Sequence, residues 1–227
     1  MIDKFVRTAA EAMDGIKDGA TILVGGFGAV GQPNVLIEAL VEQGAKDLVI
    51  IANNVGSGRY GLPKLMEHGR VRRVVCSFPK SASGAEIFDE LYRAGKLELE
   101  IVPQGTLAER IRAAGAGLPG FYTPTGVGTK LADGKEVREF DGKPYLLELA
   151  LPGDVALVEA WQADRWGNLT YRKSGRNFNP VMATAGKVTI VQTQHVAELG
   201  ALDPEAIVTP GIFVDRVLHA PYGDPQS

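Results

Sequence analysis

Cysteine occurs once in the 227 residues, at Cys76. A lone cysteine excludes an internal disulfide and fits a reducing, cytoplasmic setting. It lies in the apolar run 71–78, where burial predicts an inert thiol rather than a nucleophile. Histidine occurs only at His68, His195 and His219, each without a second ligand at metal-binding spacing. That pattern predicts no metal site. Long apolar runs are missing too. The run Thr21–Val24 stops in glycine, far short of the about 18 residues of a membrane span. Met1-Ile2-Asp3-Lys4 has neither the basic nor the apolar region of a signal peptide. Cationic charge is not in excess: the formal net charge of −3 gives no electrostatic case for nucleic acid or an anionic membrane. No motif supplies a Ser-His-Asp order.

What is present is an ordinary globular composition, 45% hydrophobic and 22% charged, with 28 glycines gathered in turns rather than at a fixed period. The length suits one α/β domain over residues 1–227. Phe5, Val6, Ala9, Ala10 and Met13 predict a short amphipathic helix within 3–17. Apolar runs at 21–24, 48–52, 71–78 and 97–101 read as strands, and amphipathic segments at 34–43, 62–68 and 87–92 as helices between them. Thr106-Leu107-Ala108-Glu109 has capping-box spacing and predicts a helix start at Thr106. Glu98 and Glu100 alternate with apolar residues, which places both on a solvent face of a strand near an edge. The β-α-β-α order predicts a mostly parallel, doubly wound sheet with helices on both faces. Residues 115–129 read as a long functional or interface loop. Asp141-Gly142 joins 136–140 to 145–149 as a β-hairpin, within a more mixed C-terminal half. Strands at 154–160, 169–171, 188–191 and 211–218 and a helix opening at Asn179-Pro180 complete the chain.

The stretch around which these elements are organised is Thr21-Ile22-Leu23-Val24-Gly25-Gly26-Phe27-Gly28-Ala29-Val30-Gly31-Gln32-Pro33. Strand, glycine turn and helix together make a phosphate-cradling arrangement, because glycine admits close backbone approach and a helix N-terminus offers N–H groups. Gly26-x-Gly28-x-x-Gly31 also matches the dinucleotide fingerprint. That fingerprint needs an acid at the end of the second strand, to hold the ribose. Here the strand ends in Asn53-Asn54, and Asp47 lies at its wrong end. A nicotinamide-dependent oxidoreductase is disfavoured.

The glycine turn, Asn53, Asn54 and Gln104 all follow strand ends and supply neutral donors suited to an oxyanion or a phosphate. The plainer alternative, that the three amides only satisfy loop backbone, fits turn chemistry equally well. Donors without an attacking group describe half of an active site, or else a non-catalytic binding module. The first reading requires a second chain to bring the nucleophile.

Several stretches carry a family resemblance. Asp18-Gly19 with Gly25-Gly26-Phe27, Gly31 and Pro33, then Pro103-Gln104-Gly105-Thr106-Leu107-Ala108-Glu109-Arg110, resemble the A (alpha) chain type of family I coenzyme A transferases. Tyr122-Thr123-Pro124-Thr125-Gly126, Gly167-Asn168-Leu169, Arg176-Asn177-Phe178-Asn179-Pro180 and Thr209-Pro210-Gly211-Ile212 extend the likeness over nearly the whole chain. The resemblance implies CoA transfer from succinyl-CoA to a 3-oxo acid. The nucleophile would be a glutamate of a CoA-transferase B subunit, which passes through a glutamyl-CoA thioester. It further implies a cytoplasmic A2B2 heterotetramer, with no permanently bound cofactor and the CoA thioester as substrate. By analogy Gln104 binds the reacting oxygen, Gly25, Gly26, Phe27, Gly28, Ala29, Val30 and Gly31 meet CoA, and Asn53 and Asn54 line the acyl pocket. Within the family, Cys76-Ser77-Phe78-Pro79, Arg165-Trp166-Gly167-Asn168 and residues 208–214 look most like members acting on 3-oxoadipate, in aromatic catabolism. Acetoacetate-type members usually have a shorter segment at Pro79–Gly84, so acetoacetate is the rival acceptor. Lys80 or Arg59, in strand-end loops, would then hold the acceptor's second carboxylate.

Overall fold

The computed structural model describes residues 2–56, 60–79 and 86–221. Strand β1 (Phe5–Val6) leads to helix α1 (Ala9–Ala12), and the following elements alternate: β2 (Thr21–Val24), α2 (Asn34–Gln43), β3 (Leu48–Ala52), α3 (Leu62–Glu67), β4 (Val71–Cys76), α4 (Glu86–Arg93), β5 (Glu98–Ile101) and α5 (Gln104–Gly115). A small sheet follows from β6 (Gly120–Thr123), β7 (Val137–Phe140) and β8 (Lys143–Leu149). The chain then completes the main sheet with β9 (Gly153–Ala163), β10 (Leu169–Thr170), α6 (Asn179–Ala185), β11 (Gly186–Val196) and β12 (Arg216–His219).

The main sheet runs β1-β12-β11-β9-β2-β3-β4-β5, parallel throughout, with β10 added antiparallel to β9. Its strands are covered on both sides, and side-chain alternation sorts them between two cores. Ile22, Val24, Ile50, Val155 and Leu157 pack with Met13, Leu36, Leu40, Leu65 and Phe88, so α1–α4 cover one face. Leu23, Ile51, Val75, Ala156 and Val158 pack with Leu107, Ile111, Met182 and Ala183, so α5 and α6 cover the other. The doubly wound parallel sheet expected from the sequence is therefore present. Helix α2 keeps its expected bounds, and Gly44 closes it in a left-handed conformation, φ 94°.

Other expectations are corrected. The predicted helix within 3–17 shrinks to the four residues of α1, because Phe5 and Val6 pair with Val217 and Leu218 instead. Thr8 caps that short helix, its hydroxyl accepting from Glu11 N–H. Helix α5 starts at Gln104 behind Pro103, not at Thr106, which lies buried inside the first turn. The expected loop 115–129 contains β6, which pairs with β8 and extends the predicted hairpin to three strands. Strand β5 does lie at the sheet edge, but Glu100 is not a free solvent-face carboxylate. It pairs with Arg73 and, at 2.8 Å, with Arg110. Arg110 also donates to Leu149 O and faces the buried Glu148, so one guanidinium ties the small sheet to α5 and β5. The predicted last strand is shortened to β12, because Gly211–Phe213 forms a 3₁₀ turn. No helix among the described residues is long and apolar enough to cross a membrane.

Candidate active site

Open parallel sheets present ligands at the carboxyl ends of their strands. Four such ends converge here. Past β3, the buried Asn53 is the hub: its carbonyl accepts from Ser77 and Phe78 N–H at 3.0 and 3.2 Å. Its side-chain Oδ1 accepts from Gln104 Nε2 at 2.8 Å and lies 2.7 Å from Ser77 Oγ. With donors on Oδ1, Nδ2 is fixed as the donating end of the Asn53 amide. Gln104, at the first position of α5 past β5, is exposed and has one amide N–H committed to this hub. Ser77 lies just past β4 and is a member of the hub that sequence reasoning misses. A hydroxyl immediately after an apolar strand end is the signal that could have found it.

Asn54 reaches the other way. Its Oδ1 accepts from Gly28 N–H at 2.9 Å and so anchors the glycine segment beside the hub. That segment is a tight hairpin in which Phe27 and Val30 exchange backbone hydrogen bonds across Gly28-Ala29. Phe27, Val30 and Phe78 stand about half exposed along this rim. The hairpin is held from behind by two asparagines, Asn177 just before α6 and Asn179 at its first position. Asn177 accepts from Gly26 N–H and donates to Val30 O and Ser174 O. Asn179, fully buried, accepts from Glu159 N–H and donates to Gly31 O and Gly175 O, each at 2.9 Å. Gly25 is required by this packing, since a Cβ there would lie 1.8 Å from Asn179 Oδ1.

The amide cradle expected of the glycine turn and helix α2 is thus largely filled from within. Val35 and Leu36 N–H, at the N-terminus of α2, donate to Oε1 of the buried Gln192 on β11 at 3.0 and 3.3 Å. Gly25 N–H donates to Leu157 O, and Gly26 and Gly28 donate to the two asparagine side chains. The only sign of Gln192 in the sequence is its place as a polar residue inside an apolar strand, and its partner leaves no sign at all. Cys76 is fully buried, and burial pushes its thiol up to about 12, so it stays protonated and unreactive as expected. Arg59 and Lys80 lie outside the described residues.

The neutral donors gathered at these strand ends have the chemistry to hold an oxyanion or a carboxylate, on a doubly wound α/β scaffold. The sequence and fold comparisons give that scaffold its family. The Coenzyme A transferase family pattern matches residues 6–220, and the chain belongs to that family of enzymes. It is 59% identical over 218 residues, 96% of this chain and 94% of the other, to the A subunit of 3-oxoadipate CoA-transferase from Pseudomonas putida. It is 48% identical to the A subunit of the probable succinyl-CoA:3-ketoacid coenzyme A transferase of Bacillus subtilis (strain 168), covering 95% of this chain and 89% of that one. Among solved structures, an acyl-CoA transferase from E. coli O157:H7, crystallised as a thioester complex with CoA, superposes with a TM-score of 0.84 at 26% identity. The present chain is covered to 99% and spans about half, 49%, of that longer one. Glutaconate coenzyme A-transferase from Acidaminococcus fermentans shares the fold, with a TM-score of 0.87 at 24% identity over 97% of this chain and 76% of the other.

Proposed function

We propose that this chain is the A subunit of an enzyme that moves CoA from succinyl-CoA to 3-oxoadipate, with the attacking glutamate carried by a B subunit. The observation that carries the half-site reading is the Asn53 hub. Gln104 donates to Asn53 Oδ1, which aims the Asn53 Nδ2 as a donor, and the one hydroxyl with them, that of Ser77, is engaged with Asn53 and has no base beside it among the described residues. The names of the most similar relatives support the acceptor and the A-subunit role. We assign Gln104 to the oxygen of the reacting carbonyl and Asn53 and Asn54 to the acyl pocket. The exposed tip Phe27–Val30 we assign to CoA, through apolar contact more than through amides. Lys80 and Arg59 are our candidates for the acceptor's second carboxylate, and an A2B2 cytoplasmic assembly is our expectation.

The test is kcat/KM for succinyl-CoA transfer to 3-oxoadipate and to acetoacetate, with the chain alone and with its B partner. Turnover only in the presence of that partner, with 3-oxoadipate preferred, is expected; turnover by the chain alone would sink the half-site reading. A preference for acetoacetate would keep the mechanism and move the assignment to the 3-ketoacid enzymes, which the 48% relatives also support. Gln104→Ala in the assembled enzyme is expected to lower kcat about 100-fold while changing KM little, as removal of an oxyanion donor does.

A further inference from the structure

Two motifs of the sequence meet where the first turn of α5 faces the end of β6. Between them lies a cleft of about 320 Å³, walled by Pro103, Gly105 and Thr106 on one side and by Phe121, Tyr122 and Thr123 on the other. Its size falls within the range of small-molecule sites. It adjoins the Asn53 hub, because Gln104, whose side chain enters the hub, immediately precedes Gly105.

Three features leave this cleft wanting an occupant. The N–H groups of Gly105 and Thr106, in the first turn of α5, meet no acceptor among the described residues. That turn carries no acidic side chain, so the positive end of the helix dipole is unanswered. Thr106 is only 5% exposed, yet its hydroxyl has no hydrogen-bond partner among the described residues and opens to the cleft. Gly105 is a glycine without a local reason. Its φ is not positive, and a Cβ built on it would meet nothing within 4 Å. Alanine would favour the helix more, so the bare backbone leaves room for a group from outside the chain to approach the N–H donors.

The lining sets the chemistry of that group. Thr123 Oγ1 accepts from Thr125 N–H at 3.2 Å, which leaves its own proton to donate. Pro103 and Phe121 offer an apolar wall to methylene groups. No lysine or arginine lines the cleft among the described residues. Glu109, one turn along α5 from Thr106, does line it, and both its oxygens accept from Arg112, at 2.6 and 2.8 Å. An ionised carboxylate in the wall opposes a phosphate dianion. Neutral donors at a helix N-terminus suit a single carboxylate on a short aliphatic chain.

We propose that this cleft seats the distal carboxylate of a dicarboxylic acyl substrate, on the N–H groups of Gly105 and Thr106 and the Thr106 hydroxyl, with Phe121 against its methylenes. The proposal deepens the CoA-transfer reading and rests on it: Gln104 takes the reacting carbonyl, and the two residues after it take the other end of the same acid. It sets a neutral seat, built from described residues, beside the cations Lys80 and Arg59 as holder of that carboxylate.

The test uses the enzyme assembled with its B partner and compares 3-oxoadipate with 3-oxohexanoate, which carries a methyl group in place of the distal carboxylate. The parent enzyme should favour 3-oxoadipate in kcat/KM. Gly105→Ala and Thr106→Val should each cut that preference by about tenfold or more, while Thr106→Ser keeps it. Gly105→Ala should do so without lowering Tm, a combination that damage to the fold would not give. With transfer intact, a parent without the preference, or an unchanged preference in Gly105→Ala and Thr106→Val, would overturn the cleft's role alone. Loss of the preference in Lys80→Ala or Arg59→Ala only would do the same. A Gly105→Ala chain that folds but no longer assembles with B would overturn it too, since the partner would then fill the cleft. A parent that moves CoA to neither acid removes the transfer reading and this proposal with it.

Discussion

Gly25 and Gly28 lie three positions apart in one hairpin and are glycine for different reasons. A Cβ at Gly25 would collide with the Asn179 side chain, which is fully buried and bonded to three separate segments. A Cβ at Gly28 would meet nothing within 4 Å, and only its φ of 63° favours glycine. Gly25→Ala should therefore destabilise by about 3 kcal/mol, since neither the β9 backbone nor Asn179 can retreat. Gly28→Ala should cost roughly 1 kcal/mol, the left-handed backbone term alone. Urea unfolding of the two variants measures the gap, and equal losses would mean that the asparagine packing does not hold the hairpin.

At the scale of elements, strand and helix positions were legible wherever one segment decides its own fate. Helix α2 has an apolar stripe and a terminal glycine, β3 is continuously apolar, and Asp141-Gly142 adopts positive φ at both residues, as a two-residue hairpin turn requires. What could not be read was decided by distant partners. β1 is too short to declare itself and exists because β12 pairs with it. β6 looked like loop because its partner β8 lies about twenty residues or more further on. At the candidate site, Gln104 and Asn53 were legible as polar residues at strand ends, but their mutual bond and Ser77's part in it needed three strands side by side. The cleft between α5 and β6 was invisible, since it depends on where β8 places β6.

The link between α5 and its surroundings carries a pH dependence. Burial of Glu100 favours the neutral form, but the hydrogen bonds and charges of Arg110 and Arg73 outweigh it and hold its pKa below the ordinary glutamate range. A carboxyl depressed on folding stabilises above its unfolded pKa and loses that contribution as pH falls through the folded value. Glu100→Gln should thus lower stability by about 1 kcal/mol near neutrality. The gap from the parent protein should close as the pH falls through and below the ordinary glutamate range. A gap that persists at the acid end would mean that Glu100 acts through packing rather than charge.

At the scale of the whole molecule, the two halves of the sheet meet at β2 and β9, and Asn177 and Asn179, at the start of α6, reach back to the hairpin after β2. The candidate site is therefore made of loops from the first half, braced by side chains from the second. Strand β12 closes the opposite edge by lying between β1 and β11, with Lys4 donating to Gly211 and Val214 carbonyls and Arg216 to those of Ala12 and Asp14. A chain ended after Asp215 should leave β1 unpaired and β11 exposed, and is expected to be recovered aggregated rather than folded, as solubility and circular dichroism would show.

The same insertion fixes an order of events during synthesis. Strands β2 to β5 can pair as they emerge, each with its immediate predecessor, whereas β1 must wait about two hundred residues for β12, the neighbour it has among the described residues. Among the described strands, β1 is thus one of the last to be secured. Until β12 emerges, β1 is an unpaired strand that a chaperone or a protease can read.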